Sequence, residues 1–153
     1  MSNTYYQIYI HAIFTVQNRV SLIADGWRER LNKYICGIVQ NNGHKLLAVG
    51  AMPDHVHLFF GLSPAQSVSD LMQDVKGNSS RWINENGLVD GRFAWQEGYG
   101  AFSYSRSQID TVIKYINNQP RHHKRKTFIE EYKDFLKAFE IEYDEKYIFK
   151  PVK

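Results

Sequence analysis

From Tyr5 to Val16 apolar and polar side chains alternate. Tyr6, Ile8, Ile10, Ala12, Phe14 and Val16 make one face; Tyr5, Gln7, Tyr9, His11 and Thr15 make the other. A period of two predicts a strand with one face on a core and the other open. After Asp25-Gly26 the period changes, and Trp27, Leu31, Tyr34, Ile35, Ile38 and Val39 recur at helical spacing until Asn41-Asn42-Gly43 stops the helix. Cys36 lies at the edge of that stripe and is expected to pack there. His44 to Met52 is a second strand, and Pro53-Asp54 is a short connection suited to a hairpin with a third, starting at His55. Ser67 then caps a second helix with the stripe Val68, Leu71, Met72, Val75, Trp82 and Ile83. Gly77, Ser79 and Ser80 interrupt it with small residues, where a close backbone approach is expected. Turn signals at Asn86-Gly87 and Asp90-Gly91 precede an aromatic, alternating fourth strand, Tyr99 to Tyr104. This order predicts an α+β fold, a ferredoxin-like or RRM-like antiparallel sheet with both helices on one face. The helices belong on the Val56 side, which leaves His55 and His57 on the open face that RNA-recognition domains of this topology use.

A third helix is predicted from Ser107 to Gln119, stopped by Pro120, with the stripe Ile109, Val112, Ile113 and Ile116. Tyr115 and Gln119 are four apart and stack on one side of it, flanking the stripe. The basic run Arg121-His122-His123-Lys124-Arg125-Lys126 follows. Thr127 with Glu130 then forms a capping box for a last helix carrying Phe128, Tyr132, Phe135, Leu136 and Phe139. The tail from Ile141 to Lys153 has no clear assignment.

Composition narrows the class. A chain of 153 residues fits one domain with a hydrophobic core, 1–153. Its net charge of +3 mildly favours polyanionic partners, and its 22 aromatic residues (ten Tyr, nine Phe, three Trp) can fill a core or stack on unpaired bases. One cysteine excludes an internal disulfide and suits a reducing cytoplasm. No apolar run reaches the ~18 residues of a membrane span, and the N-terminus has no signal-peptide pattern. A cytoplasmic protein without a membrane partner is expected.

The chemistry centres on Met52-Pro53-Asp54-His55-Val56-His57-Leu58. On a strand His55 and His57 point to one side and can offer two nitrogens to one cation. With Gln119 they would form a three-ligand site for Mg²⁺ or Mn²⁺, the remaining positions being filled by phosphate and water. Such a cation polarises a scissile phosphate, and Tyr115, one turn from Gln119, is placed to attack it. Each piece also has an ordinary reading: a polar strand pair, a helix-edge tyrosine, a solvated basic loop. His11 reads as a sheet-surface histidine rather than a ligand, and His122 and His123 as solvated or facing phosphate.

The motifs taken together resemble the single-tyrosine HUH transposases, small insertion-sequence enzymes that mobilise single-stranded DNA. The resemblance rests on the His55-Val56-His57 stretch, Val75-Lys76-Gly77-Asn78-Ser79-Ser80, Trp95-Gln96-Glu97-Gly98-Tyr99 and Tyr115-Ile116-Asn117-Asn118-Gln119, in that order. It implies that His55, His57 and Gln119 bind the metal and that Tyr115 is the nucleophile forming a 5′-phosphotyrosine. It also implies a homodimer recognising DNA hairpins near the element ends, the Tyr115 helix serving its own or the partner's site. The expected DNA contacts are Lys76, Arg81, Arg121, Lys124, Arg125 and Lys126. Tyr99 and Tyr104 are the rival nucleophiles. The alternatives are a non-catalytic single-stranded DNA- or RNA-binding module on the same fold, or a host-retained relative acting on palindromic repeats.

Overall fold

The computed structural model describes residues 3–122 and 127–142. Four strands, β1 (Tyr9–Thr15), β2 (Lys45–Ala51), β3 (His55–Gly61) and β4 (Gly100–Tyr104), form one antiparallel sheet in the order β2-β3-β1-β4. Helices α1 (Asp25–Asn41) and α2 (Val68–Glu85) connect β1 to β2 and β3 to β4. This is the expected ferredoxin-like arrangement. Ala12, Phe14, Val56, Leu58 and Phe60 pack on Leu31, Ile35, Val39, Leu71, Val75 and Ile83, so the two helices cover the anticipated face. Ser67 caps α2 by accepting from the Asp70 N–H at 3.0 Å. Cys36 is half-buried, and burial raises its thiol pKa, as suits a packing residue. No described helix is long and apolar enough to cross a membrane.

Several expectations are corrected. β1 begins at Tyr9 rather than Tyr5: Tyr5 and Tyr6 are both exposed, so Tyr6 does not extend the apolar face onto a core. Gly77 is not a point of close approach, because a Cβ there would meet no atom within 4 Å. Ser79 is the small residue that matters, its buried hydroxyl accepting from Trp95 Nε1 at 2.9 Å. The third helix is shorter than expected. α3 (Ile109–Asn117) ends at Asn118, and Gln119 opens a separate turn, α4 (Gln119–His122), with Pro120 at a position that needs no amide hydrogen.

The largest correction concerns the second face of the sheet, which is not open. Ile13 and Phe102 pack with Phe128, Tyr132 and Leu136 of α5 (Phe128–Ala138), while Ala48 and Phe59 pack with Val112 and Ile116 of α3. Apolar side chains on all four strands therefore make this face a second core layer. Glycines admit the two helices. A Cβ on Gly50, which pairs with His57, would sit 3.0 Å from Ile116 Cγ2; one on Gly100, which pairs with Ile13, would sit 2.6 Å from Tyr132 Oη.

Candidate active site

β3 places His55 and His57 on the face under α3 and α5, and both are buried. His55 Nδ1 lies 2.7 Å from Asp54 Oδ1. An ionised carboxylate only accepts, so this bond puts the proton on Nδ1 and leaves the Nε2 lone pair facing inward. His57 Nδ1 lies 2.8 Å from His11 Nε2. His11 is fully buried, not a surface histidine, because Phe135 and Tyr115 close over its ring. Burial first, then the neighbouring His57, hold its pKa well below the usual imidazole value, with Glu131 opposing. His11 is therefore neutral and can accept from His57 Nδ1, which leaves His57 Nε2, facing Glu131, as the candidate ligand atom.

The Nε2 atoms of both histidines face one carboxylate. Glu131 Oε1, on α5, lies 3.2 Å from His57 Nε2 and 4.0 Å from His55 Nε2. The three ligand atoms fall within 4.8 Å of one another. Two imidazoles and a carboxylate, all buried, form a donor set suited to a divalent cation such as Mn²⁺ or Mg²⁺. A buried carboxylate also needs positive charge nearby. Gln119 is buried against the same group: Nε2 donates to Glu131 Oε2 at 3.1 Å, and Oε1 has no hydrogen-bond partner among the described residues. Gln119 thus borders the cluster of His55, His57 and Glu131.

Tyr115 Oη donates to Glu131 Oε2, and its ring lies 5.8 Å from that of His57 within the same chain. Burial, followed by the charge of Glu131, pushes its phenol pKa far above the usual value, so the hydroxyl is protonated and needs an acceptor to lose its proton. Glu131 is in place to be that acceptor. Of the rival tyrosines, Tyr104 lines the cavity beside Tyr115, its own pKa raised to about 12 by burial. Tyr99 packs against the opposite core, with α1 and α2, and cannot share this site.

Glu131 was not anticipated, although the signal was there. Phe128, Glu131, Tyr132, Phe135 and Leu136 fall at helical spacing, which puts a carboxylate inside an apolar stripe. Of the expected DNA contacts, Lys76 holds a loop, its Nζ donating to the Gln96 and Gly98 carbonyls at 2.8 Å each. Arg81 donates to Asn78 Oδ1 and lines an outer groove of about 860 Å³ with Lys76 and Arg92. Arg121 falls in α4, and Lys124, Arg125 and Lys126 lie outside the described residues.

The model of the family described as "Transposase IS200 like" matches residues 4–119. This chain belongs to that family. The transposase is 28% identical to the ISDra2 transposase TnpA of Deinococcus radiodurans, over 74% of this chain and 85% of that one. A crystal structure of a D. radiodurans R1 protein assigned as a transposase superposes with a TM-score of 0.61 at 26% identity, covering 78% of this chain and 95% of the other. A REP-associated tyrosine transposase bound to a REP hairpin shares the fold, with a TM-score of 0.59 at 16% identity over 80% of this chain and 74% of that one. The family match takes in His55, His57, Tyr115 and Gln119 but stops short of Glu131.

Proposed function

We propose that this transposase cleaves and rejoins single-stranded DNA with Tyr115 as the nucleophile and His55, His57 and Glu131 as ligands of a divalent cation. One juxtaposition carries the reading: the Tyr115 hydroxyl and two inward imidazole nitrogens converge on the two oxygens of a single buried carboxylate. The bond from Tyr115 Oη to phosphorus forms and the bond from phosphorus to O3′ breaks. The products are a 5′-phosphotyrosine and a 3′ oxygen that takes a proton from solvent to become a free hydroxyl. One ester replaces another, so a later hydroxyl can reverse the step without an external energy source. The phenolic proton passes to Glu131 Oε2, while Asp54 and His11 hold the two imidazoles in their ligand tautomers. The cation, when bound, polarises the phosphate and offsets its charge. The Gln119 amide oxygen is a further donor to it.

The hairpin-bound relative of the same fold supports single strands bearing hairpins as the substrate class. Arg81, Arg121, Lys124, Arg125 and Lys126 are assigned to phosphates, and Lys76 adds charge while it holds its loop. Replacing His55 or His57 by Ala removes a ligand but no phosphate contact. Cleavage of a hairpin-bearing strand with Mg²⁺ or Mn²⁺ is expected to be abolished, with hairpin binding kept within a few-fold. Wild-type cleavage by either variant would contradict the metal assignment.

A further inference from the structure

A second cavity, of about 510 Å³, opens beside the Tyr115 hydroxyl, between the end of β4, the start of α3 and α5. Its size lies within the ~300–1,000 Å³ of pockets that bury small ligands. Tyr115 and Glu131 belong to both this cavity and the site just described, so whatever fills it lies against the reacting atoms. Tyr104, Phe135 and Phe139 supply aromatic walls. These walls are braced from behind, Phe102 packing on both Phe135 and Phe139 at ring separations of 5.2 and 4.9 Å.

Charge decides what kind of group fits. Glu131 and Asp134 line the cavity, and no Lys or Arg does among the described residues. A phosphate in the cavity would lie against the Asp134 carboxylate, which favours a neutral group there. A neutral planar ring is favoured by the aromatic walls. Polar groups also fit such a ring's edge. The Gln108 side-chain oxygen accepts from the Ser105 N–H and hydroxyl at 3.0 and 3.1 Å, which fixes the amide and leaves its NH₂ as a donor.

We propose that this cavity is a base-binding subsite: it takes one unpaired nucleobase of the substrate strand next to the phosphate that Tyr115 attacks. The proposal rests on the reading of Tyr115 as nucleophile. It gives the site a means of selecting where a strand is cut, by stacking and edge contacts at one position. It also assigns a substrate-binding role to α5, which lies beyond the segment matched by the family model.

The test uses a strand that the wild-type enzyme cleaves, remade with a single abasic site at each position around the cleaved bond. Single-turnover adduct formation is measured over a range of protein concentrations. In wild type, one position is expected to raise the half-saturating concentration by about 5- to 150-fold, the equivalent of ~1–3 kcal/mol per stacked base. Phe139→Leu removes the ring, and Ala138→Trp fills the cavity from an exposed position without touching the core. Either variant is expected to weaken the intact strand and to lose the abasic effect at that position, whereas Phe139→Tyr retains it. If no abasic position stands out in wild type, or if the effect persists unchanged in Ala138→Trp, the subsite is wrong. If wild type forms no adduct with any strand, the failure lies instead with Tyr115 as nucleophile.

Discussion

Glu131 divides its two oxygens between two tasks, Oε1 toward the imidazoles and Oε2 toward Tyr115 and Gln119. Glu131→Gln keeps the shape and removes the charge. Mn²⁺ affinity by titration calorimetry is therefore expected to fall roughly tenfold or more, beyond the fall in Gln119→Ala. A Glu131→Gln protein that binds Mn²⁺ like wild type would show that the carboxylate is not a ligand. At this scale the sequence was informative where period and chemistry coincide. His55 and His57 share a strand face by the period of two, and Tyr115 lies one helical turn from Gln119. Glu131 is hidden in the sequence because the apolar residues after Thr127 already account for an amphipathic helix. His11 was misplaced because a histidine in an alternating strand looks the same whether solvent or a helix covers it.

At the scale of elements, α3 and α5 make the site by pressing onto the sheet face that holds the histidines. α3 seats where Gly50 leaves room for Ile116. Gly50→Val overfills that contact, with an expected cost of ~1–3 kcal/mol. The melting temperature and the rate of adduct formation should fall together; if both stay at wild-type values, the close approach is not needed to place Tyr115. α5 has a pH signature. Burial raises the Tyr132 phenol from 10.0 to about 12, so the folded protein holds that proton more tightly than the unfolded chain does. This contribution is complete below pH ~10 and is lost as pH rises toward 12, and Tyr104 adds to it in the same window. The urea midpoint of wild type should therefore drop between those values, and less steeply in Tyr132→Phe; equal slopes would contradict the burial of that hydroxyl. The alternation of β1 and β3 located the layer under α1 and α2. It could not reveal the second layer, because Ile13, Phe59 and Phe102 are interspersed with Tyr, His and Thr and read as an open polar-aromatic surface.

Across the whole molecule, one sheet separates two jobs. α1 and α2 build the main core on one face, and the other face holds the candidate site beneath α3 and α5. The order of elements and the motif series made the fold and the transposase family legible from the chain alone. The closure of the second face depends on long-range packing of α3 and α5 against the sheet, which no local pattern encodes. The proposed attack of Tyr115 on DNA leaves a covalent adduct. The most direct measurement is to let the wild-type protein react with a hairpin-bearing strand, digest the adduct with nuclease and protease, and locate the nucleotide-bearing peptide by mass spectrometry. The expected result is a phosphonucleotide on Tyr115, and no adduct from a folded Tyr115→Phe variant. A modified peptide carrying Tyr104, the other tyrosine in the same cavity, or an adduct that survives in Tyr115→Phe, would contradict the account.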